Sequence, residues 1–148
     1  MRQAIPSQRI LVVDDEPMVR DAIRMLLTID GHQVEAVSSG AEALEKLAIR
    51  TFDVVFTDLR IPGMADESAR AIKRINPHQF IVMVTAYANV LSPRHKEDVL
   101  VDFMISKPFD LGTLRSSLKR ARELNKENSQ RVGSSLPLPS TLYSFKAR

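Results

Sequence analysis

Short β-branched apolar runs alternate with segments of helical period along residues 9–124, a pattern that predicts βαβ units around a parallel sheet. Five runs read as strands, ending at Asp14-Asp15, Val37, Asp58, Thr85 and just before Lys107. The run ending at Asp58 reads as a buried strand. Between the first two, Pro17 suits a first helical turn, and Val19, Ala22, Ile23, Leu26 and Leu27 recur at helical spacing until Asp30-Gly31 stops the helix. Ser39-Gly-Ala-Glu42 reads as a capping box opening a second helix with core residues Ala43, Leu44 and Leu47. After the turn at Ile61-Pro-Gly63, Asp66 is expected to cap a helix that turns Ala69, Ile72 and Ile75 inward and ends at Asn76-Pro77. A short fourth helix is expected near Pro93. A last one, over residues 112–124, should bury Leu111, Leu114, Leu118 and Ala121.

Beyond Asn125 neither period persists, so residues 125–148 read as a tail, disordered or partner-binding, behind a single domain over residues 9–124 and a leader over residues 1–8. The tail changes the meaning of the basic balance. Lys126, Arg131, Lys146 and Arg148 against Glu127 account for the whole formal charge of +3 and leave the remainder neutral. Nucleic-acid binding by the domain is therefore not expected. No cysteine is present, which excludes disulfides and thiolate chemistry. No apolar stretch approaches the ~18 residues of a membrane span, and a cytoplasmic protein is expected. His32, His78 and His95 are expected to be solvent-facing.

The chemistry is concentrated at the strand ends. Open α/β sheets place their sites at the carboxyl edge, and there this chain offers Asp14, Asp15 and Asp58, the Thr85 hydroxyl and the Lys107 ammonium. Carboxylates about 4 Å apart repel by about 4 kcal/mol at an effective dielectric of about 20. A divalent cation removes that cost, and oxygen-only ligands favour Mg²⁺, with Mn²⁺ an acceptable substitute. Asp15 and Asp58 are the expected direct ligands, with Asp14 acting partly through water. Asp58 is the expected nucleophile toward phosphorus, with Lys107 and Thr85 meeting the phosphoryl oxygens.

Asp14-Asp15, Asp58, Thr85 and Lys107-Pro108-Phe109, in this order and spacing, resemble the receiver domain of two-component response regulators. The resemblance implies a flavodoxin-like, doubly wound five-stranded parallel sheet in the order 2-1-3-4-5, with helices on both faces. It implies phosphorylation of Asp58 by the phosphohistidine of a histidine kinase or phosphotransfer protein, and a protein-interaction surface that changes in response. It implies Mg²⁺ held by Asp14, Asp15, Asp58 and the main-chain carbonyl of Arg60, and a cis Lys107-Pro108 peptide. The surface formed by the fourth helix, the fifth strand and the last helix, including Arg115 and Lys119, is the implied contact for a downstream target or a homodimer. The chain departs from the family at Met104, where an aromatic switch residue is usual, with Phe103 one place earlier on the opposite face. It departs also at Leu100-Val101 and Ala65-Asp66, in place of Gly-Ala and Asp-Gly. Arg60 and Tyr87 should flank the line of water attack and slow self-dephosphorylation.

A phosphatase of the haloacid-dehalogenase type shares these residue types but places its nucleophile before the acidic pair, and often a second Asp two residues later. Here the pair comes first and Arg60 holds that place. No glycine-rich phosphate loop follows the first strand, which excludes the common nucleotide-binding modules. A switch that modifies and demodifies itself, rather than a turnover enzyme, is expected, either as a free-standing adaptor or as the receiver of a longer transcriptional or enzymatic regulator.

Overall fold

The computed structural model describes residues 6–58, 64–86 and 101–134. Their strands are β1 (Arg9–Val13), β2 (Gln33–Val37), β3 (Val54–Thr57), β4 (Phe80–Thr85) and β5 (Phe103–Ser106). All are parallel, and they pair in the order β2-β1-β3-β4-β5. The helices are α1 (Pro17–Ile29), α2 (Gly40–Ile49), α3 (Met64–Ile75) and α4 (Leu111–Ser134). They cover both faces, which is the doubly wound arrangement.

Strand alternation sorts the core into two layers. Ile10, Val12, Val54, Phe56, Val82, Val84 and Ile105 pack under Ile23 and Leu27 of α1 and Leu114, Leu118 and Ala121 of α4. On the opposite face Leu11, Val13, Val55 and Ile81 meet Ala43 and Leu47 of α2 and Ala69 and Ile72 of α3. Phe56 is 1% exposed at the middle of the central strand; truncation to Ala there costs about 4 kcal/mol. At the start of α2, Ser39 Oγ accepts from Glu42 N (3.2 Å), while Glu42 Oε1 accepts from Ser38 N and Oγ (3.1 and 2.6 Å). The reciprocal arm of the capping box thus reaches one residue further back than the standard pattern. Hydrogen bonding lowers the Glu42 carboxyl below its usual range, first of all the bond from the Ser38 side chain.

Several expectations are corrected. Helix α3 already includes Met64, so Asp66 lies inside it and not at its cap. Ile75, the last residue of that helix, is 48% exposed rather than turned inward. Helix α4 runs ten residues past 124, so the tail begins as helix; Lys126, Glu127, Gln130 and Arg131 favour helix without supplying an apolar period. His32 is buried at 5% exposure, its Nδ1 accepting from Gln8 N at 3.0 Å. The leader's last residue, Gln8, is thereby built into the fold. The turn at residues 61–63, the helix expected near Pro93, Arg60, Tyr87, His95 and residues 135–148 lie outside the described residues.

Candidate functional site

The order of the strands reverses between β1 and β3, and the crevice at such a point is where open α/β sheets bind ligands. Val13 pairs with Thr57, so one further step along each strand brings Asp14 level with Asp58 on the face shared with Val12 and Phe56. Thr85 pairs with Ser106, and its main-chain carbonyl accepts from Lys107 N at 2.9 Å. Lys107 therefore leaves β5 in phase with Ile105, on the same side as the two carboxylates.

The Lys107 Nζ donates to Asp58 Oδ2 at 3.1 Å and lies 3.6 Å from Glu16 Oε1 and 3.8 Å from Asp14 Oδ2. One ammonium thus faces three carboxylates. The Asp14, Glu16 and Asp58 carboxylates offer oxygens that all lie within 4.8 Å of one another. Asp58 Oδ1 is buried and has no hydrogen-bond partner, a costly condition for a charged group. Burial raises the Asp14 carboxyl above its usual range and the Asp58 and Glu16 charges push the same way, opposed by the Glu16 N–H bond and the Lys107 charge. An orphaned buried oxygen in an excess of hard oxygen donors fits a divalent cation of the Mg²⁺ kind.

Of the residues expected at this edge, Asp14, Asp58 and Lys107 come together. Asp15 is exposed and is not a member of the close trio; Glu16 takes that place. The reason is local: Asp14 Oδ1 accepts from Glu16 N at 2.8 Å and Arg20 Nη1 donates to Asp14 O at 2.8 Å, which turns the chain as it enters α1. A signal for Glu16 was present. It stands at the N-cap of α1, a position that favours Ser, Thr, Asp or Asn, and it makes no side-chain cap bond there. Thr85 is fully buried at the end of β4, in phase with Ile81 and Met83 and out of phase with Lys107. The Lys107-Pro108 peptide is cis. Phe103 packs on the α1 and α4 layer, while Met104 packs against Met83 beside Val101. Arg115 forks onto Asp30 at the end of α1 through Nε and Nη2 at 2.7 and 2.8 Å; the fourth helix, with which it was expected to share a surface, lies outside the described residues.

Comparison with known proteins agrees with this geometry. The model of the response regulator receiver domain matches residues 10–119. The chain is 30% identical over 135 residues to the transcriptional regulatory protein CutR of Streptomyces coelicolor, covering 90% of this chain and 58% of that protein. It therefore spans little more than half of that relative's length. Sporulation initiation phosphotransferase F of Bacillus subtilis is 26% identical and is covered over 93% of its length by 77% of this chain. Among solved structures, the response regulator TrrA of Thermotoga maritima, crystallised in complex with Mg²⁺ and BeF, superposes with a TM-score of 0.67 at 30% identity, covering 77% of this chain and 98% of that one. Among the described residues, no helix is long and apolar enough to cross a membrane. A family match that takes in all five strands, together with solved relatives of the same fold, makes this chain a member of the response regulator receiver domain family, the phosphorylatable module of two-component signalling.

Proposed function

We propose that Asp58 is the phosphoryl acceptor of this receiver and that its donor is the phosphohistidine of a partner kinase or phosphotransfer protein. A carboxylate oxygen of Asp58 attacks phosphorus, the P–N bond breaks, and the imidazole nitrogen keeps the electron pair, leaving an acyl phosphate on Asp58. The observation that carries this reading is the pairing of Asp58 Oδ2 with Lys107 at 3.1 Å, with Oδ1 buried and without a partner. One oxygen is held while the other has no competing hydrogen bond. Lys107 then follows the charge onto the phosphoryl oxygens, and the Thr85 hydroxyl turns toward the site once the group is present and donates to one of them. Mg²⁺ would be held by Asp14, Asp58 and Asp15 or Glu16, with the Arg60 carbonyl completing the set, and would offset the negative charge gathered there. Arg60 and Tyr87 slow hydrolysis of the product, and Met104 with Phe103 relays the change toward β5 and α4.

The donor must approach at this edge, and α1 begins there. Met18, Met25 and Ile29 leave an exposed apolar stripe along that helix, suited to docking the helices of a phosphodonor protein. Met18→Asp should slow labelling by a protein donor and leave labelling by a small phosphodonor unchanged. The coverage of CutR supports a second reading, in which this receiver serves a longer transcriptional regulator; an intact mass of the cellular protein above that of 148 residues would favour it. The assignment of Asp58 is tested by incubation with a small phosphodonor and Mg²⁺. The wild type should gain one phosphoryl group by intact mass and Asp58→Asn none; equal labelling of both contradicts the proposal.

A further inference from the structure

Asp14 is tethered at the carboxyl edge through its main chain and its side chain together. Its N–H donates to Val37 O at 3.2 Å, and its Oδ1 accepts from Glu16 N at 2.8 Å. Its main-chain oxygen accepts from Arg20 Nη1 at 2.8 Å. The second carboxylate oxygen, Oδ2, lies 3.8 Å from Lys107 Nζ. The partners in the first two bonds are main-chain atoms of β2 and of the turn into α1. Arg20 supplies the third from a side chain.

The reach of Arg20 follows from the helix that carries it. Arg20 N donates to Glu16 O at 3.0 Å, so the residue stands one turn into α1. Side chains on a helix lean toward its amino end, which aims this guanidinium back at the acidic turn. A cation near that end opposes the helix dipole, an unfavourable place unless a contact offsets it. The charge of Arg20 also reaches the Glu42 carboxyl at the start of α2, where it adds to the Ser38 hydrogen bonds that lower that group.

The bond to Asp14 fixes more than one atom. The Asp14 oxygen belongs to the planar Asp14-Asp15 peptide, so holding it sets the plane from which Asp15 leaves the strand as well as the backbone that carries the Asp14 carboxylate. A guanidinium makes this a charge-assisted bond, stronger than a neutral one. Two acids are thus oriented through one main-chain contact.

We infer that Arg20 is a positioning residue for Mg²⁺ binding: by holding the Asp14 carbonyl it keeps the acidic turn in the arrangement that receives the ion. Arg20 has this role only if the acidic edge is the Mg²⁺ site of Asp58 phosphorylation, the reading proposed above. A positioning role and a plain charge effect differ in sign. Removing a positive charge beside an acidic site should tighten binding of a cation, whereas loosening the residues that hold it should weaken binding.

The test is an amide NMR titration of the full, metal-free chain with Mg²⁺, for the wild type, Arg20→Ala and Arg20→Lys. Arg20→Ala should keep the wild-type spectrum away from α1 and bind Mg²⁺ about tenfold more weakly. Arg20→Lys, which keeps the charge and a donor on a stem of similar length, should recover most of that affinity. With acetyl phosphate as donor, Arg20→Ala should need about tenfold more Mg²⁺ for half-maximal labelling of Asp58. Unchanged or tighter Mg²⁺ binding by Arg20→Ala, while the wild type binds the ion and is labelled at Asp58, would overturn the role of Arg20 and leave the site intact. A wild type that binds no Mg²⁺ would overturn the site itself, and this role with it.

Discussion

Among the described residues each end of the sheet buries one side-chain oxygen without a partner, and the two ends differ in what surrounds it. At the carboxyl edge Asp58 Oδ1 belongs to a charged group crowded by Asp14 and Glu16, with Lys107 as the one cation that the ion pairs place among them. At the amino edge Gln8 Oε1 belongs to a neutral amide set among hydrogen bonds that are otherwise made: Gln8 N to His32 Nδ1, Gln33 N to Gln8 O, and Arg9 N to Asp53 Oδ2. An unpaired charge calls for a counter-charge, and an unpaired amide oxygen calls for a hydrogen-bond donor. One edge thus leaves part of a charge unpaired, the other part of a neutral amide.

The comparison breaks most sharply at Lys107. Lys107→Ala leaves three carboxylates without the ammonium and should lower the stability of the metal-free protein by about 3 kcal/mol, measured by denaturant unfolding. Added Mg²⁺ should recover a large part of the loss, and an equal loss with and without Mg²⁺ would contradict the cation-seeking character of this edge. Asp14→Asn should act in the opposite direction. The folded Asp14 carboxyl lies above its usual 3.8, so the metal-free fold loses stability as pH rises from 3.8 through that raised value. The amide removes this penalty while still accepting from Glu16 N, and should raise the metal-free melting temperature at neutral pH by about 3 °C. The same variant should weaken the stabilisation by Mg²⁺.

The smallest effect lies at the amino edge. Burial lowers the His32 ring below its usual 6.5, against the opposing charges of Asp30 and Asp53. The unfolded chain therefore takes up the proton first, and stability that is complete above 6.5 is lost as pH falls from there toward the folded value. His32→Gln, which can still accept from Gln8 N, should flatten that slope in a series of melts; an unchanged slope would show that His32 is not its source.

How much of this was legible in the residues follows from which forces were local. The strands were readable because both faces of the sheet are covered, so β4 and β5 appear as unbroken apolar runs ending at Thr85 and before Lys107. The convergence of Asp14, Asp58 and Lys107 was readable because parallel strands bring equivalent ends to one edge. Glu16 was missed because its part depends on a turn made by Asp14, which no periodicity reports. The extension of α4 was missed because residues 125–134 favour helix by propensity while their sequence carries no apolar period. His32 was misjudged because its burial depends on Gln8, a residue 24 positions away at the start of another strand.

The central claim is that Asp58, among all the carboxylates of this chain, carries the phosphoryl group. An acyl phosphate is reduced by borohydride to an alcohol, which turns a phosphorylated aspartate into homoserine. After incubation with a small phosphodonor and Mg²⁺, borohydride treatment and peptide mass spectrometry should find homoserine at position 58 and aspartate retained at positions 14 and 15. Homoserine at position 14 or 15 with aspartate intact at 58 would contradict the account.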